Sequence, residues 1–307
     1  MRRALVIGYG SIGRRHAQIL QTLGFTVSVV SRRGEAAGYE TFGSAEQALA
    51  ARSFDYVVVA TETATHLPAL VALARAGYTG AVMVEKPLLE TSQQMPEAAF
   101  ASAGVGYNLR FHPVVMALRE ALQGCAVEMA SFHVGQWLGD WRPDRDVAQS
   151  YSATRAGGGG ALRDLSHELD LANWLFGPWR RVAALGGKLG SVTVDADDGW
   201  GILLACPRCP VVTIQLNCLD RVARRTITVH AEGKTWHADL IAATLEHGGT
   251  TQAFSTERDD TFMAMHRALM NGGGDLCSFD EGLRVVALID AVERASAEQV
   301  WVGSAAA

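Results

Sequence analysis

The chain has 307 residues, a length that suggests about two domains, each able to bury a real core. Hydrophobic residues are 49% and charged residues 19%, as in a soluble globular protein, and a net charge of −5 gives no basic field for nucleic acid or membrane. No apolar run approaches membrane-spanning length, and the one behind the basic Met1-Arg2-Arg3 stops at Gly8, too short for a signal-peptide core.

Arg3–Ile7 reads as an apolar strand running into Gly8-Tyr9-Gly10-Ser11-Ile12-Gly13. Ile12, His16, Ile19, Leu20 and Leu23 then recur at helical spacing, and Gly24 closes the helix. Phe25–Val30 is the next strand. The glycines therefore sit between a strand and a helix inside a βαβ unit, the context that makes GxGxxG a dinucleotide fingerprint. The first glycine permits a tight turn, the second lets backbone reach a pyrophosphate, and the third lets the helix pack on the sheet. The helix N-terminus adds donors and positive potential. Gly8, Gly10, Ser11, Ile12 and Gly13 are thus cofactor-binding candidates. After the second strand, where an NAD site usually carries Asp or Glu, this chain reads Ser31-Arg32-Arg33-Gly34. Two guanidiniums suit a 2′-phosphate, so NADP(H) is expected over NAD(H), with NAD(H) left open.

Ser44-Ala45-Glu46-Gln47 has the pattern of a capping box opening a short helix. Tyr56–Ala60 is a β-branched fourth strand, Thr61–Thr65 its loop, and His66–Ala76 a helix with Pro68 in its first turn. Ala81–Val84 then runs into Glu85-Lys86-Pro87, a buried strand that stops where Pro removes the next ladder donor. Ligands of parallel sheets bind beyond the carboxyl ends of the strands, so Lys86, one of only three lysines, is placed to face that crevice. Thr91–Ala101 is expected to be another helix and Val105–Leu109 the last strand of this half. Alternating strands and helices predict a doubly wound α/β domain over residues 1–110.

The pattern changes over residues 111–307, read as a second, substrate-binding and oligomerisation domain. A helix is expected near Pro113–Leu122 and a strand around Val127–Val134. A polar, tryptophan-rich loop follows from Gly135 to Arg155. Gly157–Gly160 introduces a helix ending near Phe176-Gly177-Pro178. Arg181–Asp239 reads as successive strands, including Gly201–Ala205, Val211–Cys218 and Thr226–His230. Strands without intervening helices imply an antiparallel sheet. Asp260–Met270 and Asp280–Ala295 are helical, the latter behind a Ser278/Glu281 capping box.

In Asp164-Leu165-Ser166-His167-Glu168-Leu169-Asp170, the residues Asp164, His167 and Asp170 recur every three positions beside an apolar stripe and are expected to share one helix face. A histidine between carboxylates is a candidate acid or base near neutral pH, or a satisfied structural histidine behind a helix cap. A hydride-transfer site needs a group to stabilise a developing alkoxide and an acceptor for the hydroxyl proton; Lys86 and His167 would supply both.

GYGSIG at 8–13, EKP at 85–87, GYNLRFHP at 106–113 and GGGALRDLSHELD at 158–170 together resemble the glucose–fructose oxidoreductase / inositol dehydrogenase (Gfo/Idh/MocA) family over nearly the whole chain. The resemblance implies an N-terminal Rossmann domain and a C-terminal α/β domain with an open, mostly antiparallel sheet. It implies a nicotinamide-dependent oxidoreductase acting on a sugar, cyclitol or sugar nucleotide, with Lys86 as the active-site lysine and His167 as the acid/base residue. Asp164 stands three residues before His167 rather than the family's frequent four, which leaves open which carboxylate supports the histidine. The family's Thr-Pro-Asn after the fourth strand appears as Thr61-Glu62-Thr63-Ala64. Thr61 and His66 match its ends, and His66 either lines the cofactor with Thr61, Glu85 and Lys86 or only starts a helix. The alternatives on the same scaffold are a lyase or hydrolase holding NAD tightly and a non-catalytic cofactor-binding regulator.

On the substrate side, Trp137, Trp141 and Tyr151 could stack on a sugar face, and Arg142 or Arg145 could clamp a carboxylate or phosphate. Asn108 and Arg110, past a strand end, are further candidates. These point to an anionic or nucleotide-linked sugar. Cys206-Pro207-Arg208-Cys209-Pro210 reads as a Pro-stiffened hairpin rather than a metal site, since no second ligand pair follows. The five cysteines are odd in number and scattered, as expected of reduced thiols in a cytoplasm. The open sheet face predicts a homo-oligomer.

Overall fold

The computed structural model describes residues 2–32, 34, 36–137, 159–190 and 195–304. Two compact units result, the first made of residues 1–111 and 257–283, the second of residues 112–256 and 284–307.

The first unit is built on β1 (Arg3–Ile7), β2 (Thr26–Val30), β3 (Glu40–Phe42), β4 (Tyr56–Val59), β5 (Ala81–Val84) and β6 (Ser102–Val105). Their order across the sheet is β3-β2-β1-β4-β5-β6, with every neighbouring pair parallel. A parallel sheet is covered on both faces, which is why β1, β4 and β5 are nearly unbroken apolar runs instead of alternating ones. The covering helices from this part of the chain are α1 (Ser11–Thr22), α2 (Ala45–Ala51) and α3 (His66–Arg75). Ser44 caps α2 by accepting the Gln47 N–H at 3.2 Å, while the Gln47 side chain reaches back to the Gly43 N–H. Strand order reverses between β1 and β4, so their carboxyl ends flank the topological switch point.

The second unit follows with α4 (Pro113–Ala121), β7 (Val127–Gly135), α5 (Ala161–Asp164), α6 (His167–Phe176), β8 (Arg181–Gly187), β9 (Gly199–Cys206), β10 (Cys209–Asn217), β11 (Arg224–Ala231), β12 (Lys234–Asp239), β13 (Thr244–His247) and β14 (Thr250–Ala253). Then α7 (Asp260–Met270) returns to the first unit. It packs Phe262, Met265 and Leu269 into the same core as Val6, Val29, Val58 and Met83. Helix α8 (Phe279–Glu298) opens on the Ser278/Glu281 box, with the Ser278 N–H donating to Glu281 and the Glu281 N–H to Ser278 Oγ. With β15 (Val302–Gly303) the second sheet runs β14-β13-β12-β11-β7-β10-β9-β8-β15. Among the described residues β7 and β10 pair in parallel and the other neighbours antiparallel. One face carries alternating buried residues such as Phe132, Ile202, Leu204, Ile214 and Leu216, and Phe176 of α6 meets Phe132 edge-on. No helix among the described residues is long and apolar enough to cross a membrane.

Three expectations are corrected. Residues 91–101 form no helix: Pro96 would remove a mid-helix donor and pushes Met95 towards extended backbone. The last strand of the parallel sheet is Ser102–Val105, not Val105–Leu109; after Val105 the N–H groups of Tyr107 and Asn108 turn back to Val105 and Gly106, and Asn108–Phe111 is a 3₁₀ turn. The Asp164–Asp170 stretch is not one regular helix. Around Ser166 the ladder tightens to Ser166 N–H→Arg163 O and Glu168 N–H→Leu165 O before Asp170 N–H→Ser166 O restores the α pattern.

Candidate active site

The glycine turn occupies the carboxyl end of β1. Gly8 adopts φ +97 and donates its N–H to Val30 O at 3.1 Å, and a Cβ there would lie 2.7 Å from Ala60 O, just past β4. A Cβ on Gly13 would fall 1.9 Å from Gly8 O, so helix and turn touch backbone to backbone. Gly10 differs: it caps α1 at φ −78, and a Cβ there meets nothing within 4 Å. No side chain caps this helix and no acidic residue occupies its first turn, which leaves its positive end open to an anion. Beside it, Thr61 Oγ1 is buried without a hydrogen-bond partner among the described residues, and its Cγ2 would lie 2.9 Å from a Cβ on Gly8. An uncapped helix end, an open backbone edge and an unsatisfied hydroxyl fit a dinucleotide. Ser31 N–H donates to Phe42 O at the end of β2, Arg32 behind it is exposed, and Arg33 lies outside the described residues.

At the end of β5, Glu85 is buried and Lys86 half-buried, and the Lys86–Pro87 peptide bond is cis. Glu85 Oε2 accepts the Lys86 N–H at 3.1 Å, and Oε1 lies 2.8 Å from His16 Nε2. Burial pushes the Glu85 carboxyl up, but His16 and Lys86 outweigh it and hold the group below its ordinary value. His66 is the first residue of α3, and its ring also ties two loops together. Nδ1 lies 3.2 Å from the carbonyls of Pro87 and Leu88, and Nε2 lies 3.2 Å from that of Thr61. Burial lowers its pKa against the pull of those carbonyls and of Glu85.

In the second unit His167 is half-buried at the start of α6 and Asp164 ends α5. The turn before them is held by Asp197, which accepts the Leu162 N–H and the Trp200 indole N–H. Arg163 forms a two-pronged pair with Glu293 at 2.7 and 3.2 Å. Glu168 faces away to Arg225 of β11 at 2.8 Å. Trp137 stacks under the Arg221 guanidinium at 3.4 Å, while Trp141, Arg142, Arg145 and Tyr151 lie outside the described residues. In the first unit Asn108 donates to Thr261 Oγ1 at 2.7 Å, and Arg110, 1% exposed, pairs with Glu281 at 3.1 Å. Cys206 and Cys209 face each other across the β9–β10 hairpin as free thiols.

Sequence reasoning treated His16 as a core position of α1 and gave His266 no role. Both are polar residues on apolar helix faces, and that was the available signal. Which groups they meet depends on contacts 250 and 210 residues apart.

Residues 2–106 match the oxidoreductase family with an NAD-binding Rossmann fold described as GFO_IDH_MocA, and residues 117–237 match the GFO/IDH/MocA C-terminal domain. The chain is 29% identical over 148 residues to the rhizopine catabolism protein MocA of Rhizobium meliloti, covering 46% of this chain and 44% of that protein, so the match spans less than half of that curated relative. A solved levoglucosan dehydrogenase in complex with NADH superposes with a TM-score of 0.84 at 18% identity, covering 98% of each chain. The WlbA dehydrogenase of Bordetella pertussis, in complex with NADH and UDP-GlcNAcA, superposes with a TM-score of 0.80 at 22% identity, covering 99% of this chain and 97% of that one.

Proposed function

This chain belongs to the Gfo/Idh/MocA oxidoreductase family, and from that premise we propose that it oxidises a hydroxyl, or reduces the matching ketone, of a sugar or sugar nucleotide. The observation that carries the reading is the glycine turn at the β1–β4 switch point, whose helix end is uncapped and whose Gly10 edge is open. Gly8, Gly10, Ser11, Ile12 and Gly13 would hold the pyrophosphate, with Thr61, Glu85 and Lys86 towards the nicotinamide. The bound nicotinamide supplies a hydride acceptor or donor. His167 takes the hydroxyl proton, positioned by Asp164 or a neighbouring carboxylate, and the Lys86 ammonium stabilises the alkoxide that develops. Arg32 and Arg33 favour NADP(H) by pairing with a 2′-phosphate. Trp141, Tyr151, Arg142 and Arg145 would stack on and clamp an anionic sugar. We read it as a cytoplasmic protein that self-associates through its open sheet face.

The test is a panel of sugars and sugar nucleotides assayed for nicotinamide reduction with NAD+ and NADP+. Turnover that falls by at least about a hundredfold in Lys86→Ala and in His167→Ala is expected, the size of a lost acid/base or alkoxide-stabilising group. Turnover without net nicotinamide redox change on every active substrate would refute the redox reading.

A further inference from the structure

A buried line of four titratable side chains in the first unit ends on Glu85, and its other three members have no part in the proposed reaction. The Tyr56 hydroxyl lies 2.6 Å from His266 Nδ1, His266 Nε2 lies 2.9 Å from His16 Nδ1, and His16 Nε2 lies 2.8 Å from Glu85 Oε1. Tyr56 is 1% exposed and both histidines 0%. The line joins β4, α7, α1 and the end of β5, and Glu85 Oε2 closes it on the Lys86 N–H. Gly106 leaves the carboxylate its room, since a Cβ there would stand 2.9 Å from Glu85 Oε1.

Hydrogen-bond chemistry gives this line a direction. A carboxylate only accepts, so His16 donates from Nε2. A neutral His16 then accepts at Nδ1, which makes His266 Nε2 the donor and His266 Nδ1 the acceptor of the Tyr56 proton. Every proton has a place and one charge is buried. The opposite arrangement, an imidazolium at His16 donating both ways, would require the Tyr56 hydroxyl to accept from His266. Its own proton would then lack an acceptor, because His266 is the one polar partner found for it among the described residues. Burial keeps Tyr56 protonated and His266 neutral in either arrangement: it pushes Tyr56 well above its ordinary value, with Tyr78 adding to the effect, and it takes His266 well below its own. The choice between the two rests on the Tyr56 proton. The charged or titratable neighbours of the line are Tyr78 facing Tyr56, and His66 and Lys86 facing Glu85; the rings of Phe25 and Phe262 pack against Tyr56 and His16.

We infer that Tyr56, His266 and His16 are positioning residues that act through Glu85. They form a one-way relay that holds Glu85 as a carboxylate on the Lys86 N–H and fixes the charge beside Lys86 across the neutral range. The part Lys86 plays in catalysis rests on the function proposed above; the relay does not.

The chain has three lysines, Lys86, Lys188 and Lys234, so a protein labelled with 13C at lysine Cε gives three signals, and Lys86→Arg assigns one of them. In the wild type the Lys86 signal should stay flat between about pH 5.5 and 8.5, the window of an ordinary histidine. Imidazole 15N shifts should show His16 and His266 neutral, each protonated at Nε2. His266→Gln keeps a donor towards His16 Nδ1 and should remain flat. His266→Phe removes that donor, so His16 takes up a proton and the Lys86 signal gains an inflection inside the window. An imidazolium at His16 in the wild type overturns the inference, as does a His266→Phe trace as flat as the wild type. Should His266→Phe fail to fold, the wild-type nitrogen shifts alone decide. Titration of the same samples with NADPH and NADH reads the other claim: binding of neither by the wild type refutes the proposed function while the relay is still read from the spectra.

Discussion

Two of the three turn glycines should fail in opposite ways. In Gly13→Ala the new Cβ would fall 1.9 Å from Gly8 O, against the 3.0 Å below which real Cβ atoms essentially never approach. The obstacle is backbone, so α1 or the turn must move by about 1 Å. Overpacking of this kind costs about 3 kcal/mol at the upper end of its range. Alanine's better helix propensity returns about 1 kcal/mol. The net loss of about 2 kcal/mol corresponds to a fall in Tm of roughly 4–8 °C for a domain of this size. Gly10→Ser should do the reverse. Its side chain meets nothing, its φ of −78 suits any residue, and serine is a better N-cap than glycine. Its Tm should stay within about 2 °C of wild type. The added hydroxymethyl group stands where backbone must approach a pyrophosphate, so NADPH affinity should fall at least tenfold, about 1.4 kcal/mol. Thermal unfolding and fluorescence titration of both variants check this. A Gly10→Ser protein that binds as tightly as the wild type would show that the pyrophosphate does not lie on the turn.

Paired NADPH and NADH titrations of the wild type and of Arg32→Ala should show a preference for NADPH that shrinks by roughly tenfold in the variant, the value of one charge-assisted contact; tighter NADH binding by the wild type refutes it. Burial pushes the thiols of Cys206 and Cys218 up to about 12 and Cys209 up to about 11. The folded state therefore keeps protons that the unfolded chain gives up above about pH 9, so stability is complete below that pH and lost as pH rises towards 12. Alkylation at pH 8 should likewise leave all three thiols unmodified until denaturant is added. On the acid side, burial holds His66 and His266 below the ordinary 6.5, so the stability they confer is present above that pH and lost as pH falls through their folded values, measurable as a falling urea midpoint. Glu168→Gln leaves the Arg225 guanidinium, 24% exposed, without its anion, and should cost about 2 kcal/mol, less than for a fully buried pair.

The first half of the chain was legible because parallel strands advertise themselves. Buried on both faces, β1, β4 and β5 are β-branched runs with few other readings. Strand β3 had no readable position for the opposite reason: its three residues, Glu40-Thr41-Phe42, are exposed or half-buried at the sheet edge and carry no pattern. The β13–β14 hairpin passed unread although Gly248-Gly249, with φ +58 and +77, supplies the residues such a tight turn demands. In the candidate site, the glycine turn and the Lys86 strand end followed from local spacing. The break at Ser166 did not, since nothing in the spacing of residues 164–170 marks where the ladder tightens. The partners of Glu85 were out of reach altogether, because nothing local to Glu85 points to a histidine in α1 or another in α7.

The way α7 rejoins the first unit sets a timetable for biosynthesis. The parallel sheet is complete in order by residue 105, yet its core lacks Phe262, Met265, Leu269 and Leu276 until more than 150 further residues have left the ribosome. Each such side chain adds roughly 1.5–3 kcal/mol once buried, a large share of what holds any domain folded. A nascent N-terminal half therefore waits with an uncovered apolar surface and with Tyr56 and His16 lacking the imidazole that joins them. A recombinant piece cut after Phe111 inherits the same exposed face for good.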